Sequence, residues 1–329
     1  MLGELDFLKW LYPNYYRHFS CLMGACCHSC CTDWEIGIDR ETRDWYREVA
    51  GEIGCRLAEN IVDTDEGSSF CLTREERCPF LNAEGLCELI IELGEESLCQ
   101  ICADHPRFRN FFTDRTEVGL GLCCEAAAKL ILTAQESFAL YCEQDDREEE
   151  ENSEEEEEIL SLRDKLISLM QDRTIPVCGR VARFTEETEV EFFPVELSFW
   201  AEFFLGLERL DEEWTICLRQ LQERPECAVE DRLPKDASWE IAFEQLIVYL
   251  LYRHLPDAVG DGDLSGRIAY VLLIWRLLRA MCCMRLVVRG DLQIEDLLDL
   301  ARMYSSEIEY SDENMDVILG ELHRLNPAL

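Results

Sequence analysis

The sequence is poor in positive charge and in histidine. Its 329 residues include 31 Lys and Arg, 69 Asp and Glu, and 5 His, which gives a net charge of −38. A field of this sign repels nucleic-acid phosphates and anionic lipid, and it attracts basic surfaces. We therefore expect neither a nucleic acid nor a membrane as a partner, whereas a lysine-bearing protein would be attracted.

The sequence also lacks an apolar leader and an uninterrupted apolar run. Residues 1–10 already contain two carboxylates and one lysine, which argues against a secretion signal and predicts a cytoplasmic protein. The longest apolar stretch, residues 268–288, is interrupted by three arginines. A charge near the middle of a bilayer costs about 2.5 kcal/mol or more. This stretch is therefore predicted to be a buried helix and not a membrane span.

A glycine-rich nucleotide-binding turn is missing as well. The segment GLGLCC at residues 119–124 follows a predicted strand. It lacks both the G-x-G-x-x-G spacing and an acidic residue about twenty positions later. A Rossmann-type cofactor domain is therefore not expected.

Cysteine, in contrast, is abundant, with nineteen residues, of which fourteen lie within residues 21–142. The cytosol keeps thiols reduced, and a chain that is 48% apolar needs no cross-links, so metal binding is the expected role of the clustered cysteines. Scattered cysteines are interpreted as small buried apolar residues. These are Cys55, Cys142, Cys178, Cys217, Cys227, Cys282 and Cys283.

Two groups of cysteines have the spacing of ligands. The first is Cys21-x4-Cys26-Cys27-x2-Cys30-Cys31, and the second is Cys78-x8-Cys87-x11-Cys99-x2-Cys102-x20-Cys123-Cys124, with Cys71 upstream. Thiolates two to four residues apart can converge on one centre, because a short loop lets both sulfurs point inward. Thiolate-only ligation suits tetrahedral zinc and iron–sulfur clusters alike, so the residue types leave both open. We expect the two groups to meet around one inorganic centre.

The chain is predicted to be mainly α-helical, with irregular loops in its cysteine-rich part. We expect a metal-binding domain at residues 1–142, an acidic linker at 143–158 and a helical bundle at 159–329. The linker holds twelve acidic residues and no apolar one, so its self-repulsion keeps it solvated.

Apolar residues at spacings of three and four predict the helices. In the second half they indicate one long helix over 197–221, another over 243–251, and two more after the candidate N-caps Asp291 and Ser311.

The first half gives weaker signals. Asp39 is the candidate cap of a helix that buries Trp45 and Ile53, and residues 127–141 line a second helix. Alternating apolar residues around 111–120 indicate strands.

Three stretches carry the most specific motifs. They are FSCLMGACCHSCCTDWEIGID, CPFLNAEGLCELIIELGEESLCQICADHPR and VGLGLCCEAAAKLIL. In their order and gaps they resemble the bacterial flagellin lysine N-methylases, over roughly residues 12–135. The CPFL and paired-cysteine portions are also similar to a broader group of zinc- or iron-binding cysteine-cluster proteins.

The resemblance implies an S-adenosylmethionine-dependent protein-lysine N-methyltransferase that acts on flagellin and carries a [4Fe-4S] cluster. A zinc- or iron-binding protein without catalytic activity is the alternative. The family's cysteine pattern falls on Cys21, Cys26, Cys30, Cys31, Cys78, Cys87, Cys102 and one of Cys123 or Cys124. One cubane needs only four ligands, so some of these would be structural or belong to another site. Cys27 and Cys99 are additional to the pattern.

Methyl transfer needs a deprotonated lysine amine held in line with the methyl donor. Candidates beside the cysteines are Tyr15, Tyr16, Asp33, Trp34, Asp104, His105 and Arg107. Arg107 follows a proline and could pair with a carboxylate of the cofactor. For each candidate, ordinary packing or capping is the competing interpretation.

Overall fold

The computed structural model describes residues 9–32, 34–65, 67–142, 151–190, 196–228 and 232–329. Contacts divide the chain into two units. Residues 20–108 form one, here termed the cysteine unit, and the residues before 20 together with 109–329 form the other, termed the helical unit. This division differs from the predicted boundaries at 142 and 158. The reason is that a strand before residue 20 pairs with strands after 108, so the cysteine-rich segment is an insertion in the chain of the helical unit.

Secondary structure is short in the cysteine unit and long in the helical unit. The strands are β1 (Lys9–Pro13), β2 (Gly37–Ile38), β3 (Ile61–Asp63), β4 (Ser68–Phe70), β5 (Arg107–Phe111), β6 (Arg115–Leu120) and β7 (Leu140–Cys142). The helices are α1 (Arg40–Tyr46), α2 (Gly51–Glu59), α3 (Glu88–Leu93), α4 (Gln100–Asp104), α5 (Glu125–Leu132), α6 (Glu154–Met170), α7 (Val177–Thr188), α8 (Leu197–Gly206), α9 (Glu212–Glu223), α10 (Ala237–His254), α11 (Ala258–Asp261), α12 (Leu264–Arg289), α13 (Ile294–Tyr304) and α14 (Asp312–Leu325). A π-helical turn, Ser305–Glu309, joins α13 to α14. The prediction of a mainly α-helical protein is confirmed.

The cysteine unit has a small apolar core between short helices and a three-stranded sheet. The sheet has the order β2-β4-β3 and is antiparallel. The hydroxyl of Tyr46 donates to the carbonyl of Ser97 at 2.7 Å, which ties α1 to the turn before α4. The buried residues are Ile36, Ile38, Tyr46, Ile53, Leu57, Ile61, Phe70, Cys78, Phe80, Leu89 and Cys99. Two thiols therefore belong to the core itself.

Helix α1 begins where the sequence predicts. The carboxylate of Asp39 accepts the backbone N–H of Thr42 at 2.9 Å, as an N-cap does. The predicted single helix is wrong, because the chain forms α1 and then α2. Gly51 begins α2 with a φ of +86°, a conformation that favours glycine. Trp45 is consequently exposed, and Tyr46 takes the buried position.

A four-stranded sheet begins the helical unit. Its order is β5-β6-β1-β7, and β1 is parallel to β6 but antiparallel to β7. Strands β5 and β6 confirm the strands predicted around residues 111–120. The helix predicted over 127–141 is too long, since α5 ends at Leu132 and residues 140–142 form β7. The side chain of Asn14 donates to the carbonyl of Ser137 at 3.0 Å and holds the connection outside a helical path.

Helix α12 is buried along most of its length and packs against α9, α10, α13 and α14. This confirms the buried helix predicted over 268–288. Its Arg279 guanidinium lies over the rings of Phe243 and Trp275, at 4.5 and 4.4 Å from their centroids. No helix in the described ranges is both long enough and apolar enough to cross a membrane.

The stretch 197–221 forms two helices and not the predicted one. Helix α8 ends at Gly206, and α9 starts after Asp211. The carboxylate of Glu307 accepts the backbone N–H groups of Leu210 and Asp211 at 2.9 and 2.7 Å. The break is thus stabilised by a residue that lies far along the chain.

The other predicted helix starts are confirmed in part. Ser311 caps α14, but α13 begins after Gln293 and not after Asp291. Of the predicted linker, residues 143–150 lie outside the described residues. Its last five residues are the first turns of α6, where Ser153 and Glu156 form a capping box.

Buried ion pairs connect the sheet and the helices of the helical unit. Glu117 on β6 accepts two hydrogen bonds from Arg163 on α6, at 2.5 and 3.0 Å. Glu244 on α10 accepts hydrogen bonds from Arg173 at 2.8 Å and from Arg180 at 2.6 Å. Removing one partner of such a pair typically costs about 3–5 kcal/mol. These pairs therefore fix how α6 and α7 pack against the sheet and α10.

Candidate functional site

Six thiols of the cysteine unit share one neighbourhood. They are Cys30, Cys31, Cys78, Cys87, Cys99 and Cys102. The backbone N–H of Cys78 donates to the carbonyl of Cys31 at 2.8 Å, and a β-bridge joins Thr32 to Arg77. These contacts bring the end of the first cysteine group beside the start of the second.

Two of the six thiols stand where short helices begin, and a third, Cys102, lies within one of these helices. Cys87 precedes α3 and is joined to Leu81 by a β-bridge. Cys99 precedes α4, and the N–H of Cys102 donates to its carbonyl at 3.0 Å. This turn sets the two thiols of the Cys-x-x-Cys spacing within hydrogen-bond distance of each other.

The acidities of these neighbouring thiols differ. A hydrogen bond from Cys30, supported by Ser29 and Arg77, lowers the pKa of Cys31 to about 7. Burial raises the pKa of Cys78 to about 12. The hydrogen bond between Cys99 and Cys102 lowers the pKa of the first and raises the pKa of the second. Several thiolates in one partly buried place repel each other, and a bound cation would remove that cost.

The six thiols are neighbours without forming a closed coordination shell. Within the ranges that the structure describes, no three His, Cys, Asp or Glu side chains lie in an ion-binding arrangement. The structure thus brings the two predicted groups together at Cys30 and Cys31, while the choice of ligands stays a prediction.

The other cysteines of the first group lie on the loop before Cys30. Cys21 is exposed, and its sulfur accepts the N–H of Met23 at 3.3 Å. Cys26 is half-buried on the same loop. A Cβ on Gly24 would lie 2.3 Å from the carbonyl oxygen of Glu84. Only glycine therefore fits there, and this close contact anchors the loop against the turn that leads to Cys87.

The last predicted ligand pair belongs to the other unit. Cys123 lies in the helical unit, where burial raises its pKa to about 12 and Tyr310 hydrogen-bonds to its thiol. Cys124 is the N-cap residue of α5. Both cysteines thus have local partners in a unit different from that of the six thiols, and a ligand role for either stays a prediction.

Four described candidate catalytic residues belong to the cysteine unit, and one of them, Asp104, is the last residue of α4. The indole N–H of Trp34 donates to the carbonyl of Cys30 at 2.8 Å, and its ring packs on the apolar core. Arg107 donates to the carbonyl of Ala103 at 3.3 Å, at the end of α4. Burial lowers the pKa of His105 to about 4. The contacts of Trp34 and Arg107 agree with the packing and capping interpretation, and Asp33 lies outside the described residues.

Tyr15 belongs to the helical unit. It is 7% exposed, and its hydroxyl has no hydrogen-bond partner in the part of the chain that the structure describes. Buried hydroxyls are normally paired, so this one is a candidate contact for a ligand.

A polar network around Glu309 is a candidate site that the sequence analysis missed. The side chain of Glu309 is fully buried at the end of the π-helical turn, and such turns are frequent at functional sites. Its Oε1 lies 2.8 Å from Nε2 of His254. Its Oε2 accepts the hydroxyl of Tyr249 at 2.7 Å and lies 3.3 Å from Nη1 of Arg253.

The charges of this network are balanced within the chain. Burial alone would raise the pKa of Glu309, but the charge of Arg253 and hydrogen bonds from His254 and Ser305 outweigh it and lower the pKa to about 2. Burial lowers the pKa of His254. At neutral pH the network therefore holds a carboxylate, a guanidinium and a neutral imidazole.

The network extends to Cys123 past Gly121. The Arg253 guanidinium lies 5.0 Å from the ring centroid of Tyr310, whose hydroxyl contacts Cys123. A Cβ on Gly121 would lie 2.5 Å from the Tyr310 hydroxyl and 3.0 Å from Nη1 of Arg253. A larger residue at position 121 would therefore displace the Tyr310 and Arg253 side chains.

A sequence signal for the network exists. Tyr249, Arg253 and His254 interrupt the apolar run LIVYLLYRHL, and Glu309 stands in SSEIEY. The apolar periodicity of both segments depends only on their apolar residues, so it gives no indication of these polar ones.

The profile of one protein family matches more than half of the chain. This family is the FliB lysine N-methylase C-terminal domain, and the match covers residues 120–327. The protein belongs to this family. The FliB C-terminal domain contains Cys123, Cys124 and the whole Glu309 network, whereas the six thiols of the cysteine unit precede it.

Relatives of this FliB-family chain occur in Salmonella. It is 26% identical over 134 residues to the flagellar biosynthetic protein FliU of Salmonella muenchen, a match that covers 39% of this chain and 79% of FliU. It is 27% identical over 136 residues to a lysine-N-methylase of Salmonella choleraesuis, with 39% of this chain and 33% of the relative covered. A lysine-N-methylase of Salmonella typhimurium is 26% identical with the same coverage. The chain thus matches only 33% of the length of either methylase. No solved structure matches it significantly.

Proposed function

We propose that this protein is a lysine N-methylase that transfers methyl groups from S-adenosylmethionine to lysine side chains of flagellin. The observation that carries the proposal is the match of residues 120–327 to the FliB lysine N-methylase C-terminal domain. Two relatives are named lysine-N-methylase, and a third is named as a flagellar biosynthetic protein. These names support methyl transfer as the reaction and a flagellar protein as the substrate.

The reaction is a displacement at a methyl carbon. S-adenosylmethionine supplies a methyl group bound to a sulfonium sulfur, and the lysine amine forms a C–N bond to it as the C–S bond breaks. The lysine must first give its extra proton to water or to a basic side chain, because only the neutral amine is a nucleophile. The net charge of −38 favours the approach of a lysine-rich surface.

We assign a [4Fe-4S] cluster to the cysteine unit. The residues present fit it, since the six neighbouring side chains are all sulfur donors and four suffice for one cubane. When bound, the cluster would supply the positive charge that several neighbouring thiolates require. Cys99 is additional to the family's cysteine pattern, but its burial beside Cys102 makes it a candidate ligand, whereas Cys21 is exposed.

Analysis of metal and sulfide in protein purified without oxygen tests the cluster. We expect brown protein with matching iron and sulfide, and bleaching in the variants Cys31→Ser and Cys102→Ser. Cys227→Ser is the matched control, because that thiol lies in the helical unit beside Glu226. Colourless protein with stoichiometric zinc would contradict the cluster and support a thiolate-bound zinc ion in its place.

Methyl transfer is tested separately, by incubating cluster-loaded protein with flagellin and S-adenosylmethionine. Mass spectrometry should find single-methyl increments on flagellin lysines, and none without the methyl donor. Flagellin that stays unmodified with fully loaded protein contradicts the proposed activity.

A further inference from the structure

A cluster of aromatic side chains lies in the helical unit, apart from the Glu309 network. This aromatic cluster consists of Tyr12, Tyr15, Tyr16, Phe138 and Tyr141. The ring centroid of Tyr12 is 4.8 Å from that of Tyr16 and 5.8 Å from that of Tyr141. Tyr15 lies 6.4 Å from Phe138. All but Tyr15 are half-buried, so the rings can be reached from solvent.

The backbone sets the positions of these rings. Tyr12 on β1 is directly paired with Tyr141 on the edge strand β7, so the two rings share one face of the sheet. Phe138 follows Ser137, whose carbonyl accepts the side chain of Asn14 at 3.0 Å. A cluster held in this way loses little freedom when a ligand binds, which favours affinity.

The unpaired hydroxyl of Tyr15 belongs to this cluster. Tyr15 is 93% buried, its exposed fraction being 7%, and its oxygen has no hydrogen-bond partner among the described residues. Tyr15 and Tyr16 both lie close to the phenol of Tyr252, whose ring is 5.0 Å from Phe138. An unpaired phenol oxygen beside solvent-reachable rings indicates a ligand that combines an N–H donor with an affinity for aromatic faces.

We propose that the aromatic cluster binds the side-chain ammonium or methylammonium ion of the lysine that the protein substrate presents. The proposal rests on the proposed lysine N-methylase function and names the residues that recognise its substrate. Aromatic faces attract cations, including quaternary ammonium ions, through the quadrupole of the ring. Methylation keeps the positive charge of the lysine side chain and enlarges its ammonium group. Aromatic rings can therefore bind both the substrate and the product.

The net charge of the chain, −38, favours the same occupant. Glu136 is exposed on the connection that carries Phe138. The negative charge of the chain would repel an anionic ligand, whereas the oxygen of Tyr15 can accept a hydrogen bond from an ammonium group.

Binding measured without any methyl donor tests the aromatic cluster by itself. The probes are three N-acetylated peptides of one sequence, titrated into the whole protein purified without oxygen. Their central residue is lysine, trimethyllysine, or the uncharged analogue of trimethyllysine with carbon in place of nitrogen. The two cationic peptides should bind more tightly than the neutral one, because the attraction to the rings requires charge. Equal affinity of the trimethyllysine and neutral peptides would overturn the proposal.

Tyr12→Leu and Tyr141→Leu should each weaken binding of the trimethyllysine peptide by roughly threefold to thirtyfold. Tyr12→Phe keeps the ring and should bind like the unaltered protein. Phe111→Leu is the matched control, because Phe111 is an exposed aromatic residue on β5, the opposite edge strand of the same sheet. Circular dichroism establishes that each variant is folded. Folded leucine variants with unchanged affinity refute the aromatic cluster as the binding site.

Tyr15→Phe separates binding from packing. It should weaken the lysine peptide and spare the trimethyllysine peptide, since only the former has N–H groups to donate. If it raises the melting temperature and changes neither affinity, the Tyr15 contact is refuted.

Failure of the proposed function gives results different from failure of the aromatic cluster. Unmodified flagellin together with intact peptide binding would refute the proposed methylase activity. Methylated flagellin together with unchanged peptide affinity of Tyr12→Leu would refute only the proposed role of the aromatic cluster.

Discussion

The cysteine unit and the helical unit bury their ionisable groups in opposite ways. In the helical unit, the buried carboxylates of Glu117 and Glu309 have cationic partners in the chain, Arg163 and Arg253. In the cysteine unit, the buried ionisable groups are thiols that lie beside one another, such as Cys99 and Cys102. The charges of Glu117 and Glu309 are therefore balanced within the helical unit, whereas the neighbouring thiolates of the cysteine unit would gain from a cation supplied from outside.

Helix length shows the same contrast. The helices of the cysteine unit have 5 to 9 residues, while α10 has 18 and α12 has 26. Isolated helices shorter than about 12–15 residues are marginal in water, so the short ones depend on tertiary contacts. A small core gives these helices few tertiary contacts, so the proposed cluster would be a major source of their stability.

Removal of the proposed cluster should produce the largest difference between the units. Because metal binding contributes directly to folding, chelation in the absence of oxygen should unfold the cysteine unit and leave α10 and α12 folded. Limited proteolysis followed by mass spectrometry should then find the first cuts within residues 20–108. Identical cleavage before and after chelation would show that the cysteine unit is as self-sufficient as the helical unit.

Glu309→Gln should have the next largest effect, this time in the helical unit. It leaves the buried Arg253 without its charged partner, so the free energy of unfolding should fall by about 3–5 kcal/mol. Urea denaturation of the metal-loaded protein measures this. Glu313→Gln on the exposed face of α14 is the control and should stay within about 0.5 kcal/mol of the unaltered protein.

Acid should destabilise the helical unit through the same residue. The pKa of Glu309 is about 2 in the folded protein against an ordinary value of 4.5. Because the folded value is the lower one, the contribution is fully present above the unfolded pKa and is lost as the pH falls through the folded pKa. Between about pH 5 and 2 the unaltered protein should lose on the order of 3 kcal/mol more than Glu309→Gln. Parallel pH dependence of the two proteins would contradict this.

Gly24→Ala should have the smallest effect of the four, in the cysteine unit. A Cβ at this position would lie 2.3 Å from the carbonyl oxygen of Glu84, so the loop must shift, at a cost of about 1–3 kcal/mol. A lower melting temperature of the cysteine unit and a lower iron content would reveal it. Gly37→Ala is the control from the same unit, since nothing lies within 4 Å of its added Cβ.

Local sequence patterns predict much of the fold but not its long-range breaks. The apolar run of α12 and the cap at Ser311 are local, and the structure confirms both. The joining of α8 and α9 into one helix is wrong because the break depends on Glu307, which lies 97 residues from Leu210. The spacing of apolar residues does not predict a hydrogen bond between residues so far apart in the sequence.

The candidate sites show the same limit. The Cys99 and Cys102 pair can be found from spacing, since both residues lie in one turn. The Glu309 network combines α10 with a π-helical turn, and His254 lies 55 residues from Glu309. Its polar side chains meet only after the helices pack, so the chain order gives no indication of their contact.

The parallel pairing of β1 with β6 affects how the protein is made. Lys9 pairs with Arg115, so roughly one hundred residues must leave the ribosome after β1 before its partner exists. Every thiol of the cysteine unit is translated within that interval. The order of synthesis would therefore make these thiols available to the proposed cluster before the sheet of the helical unit can close.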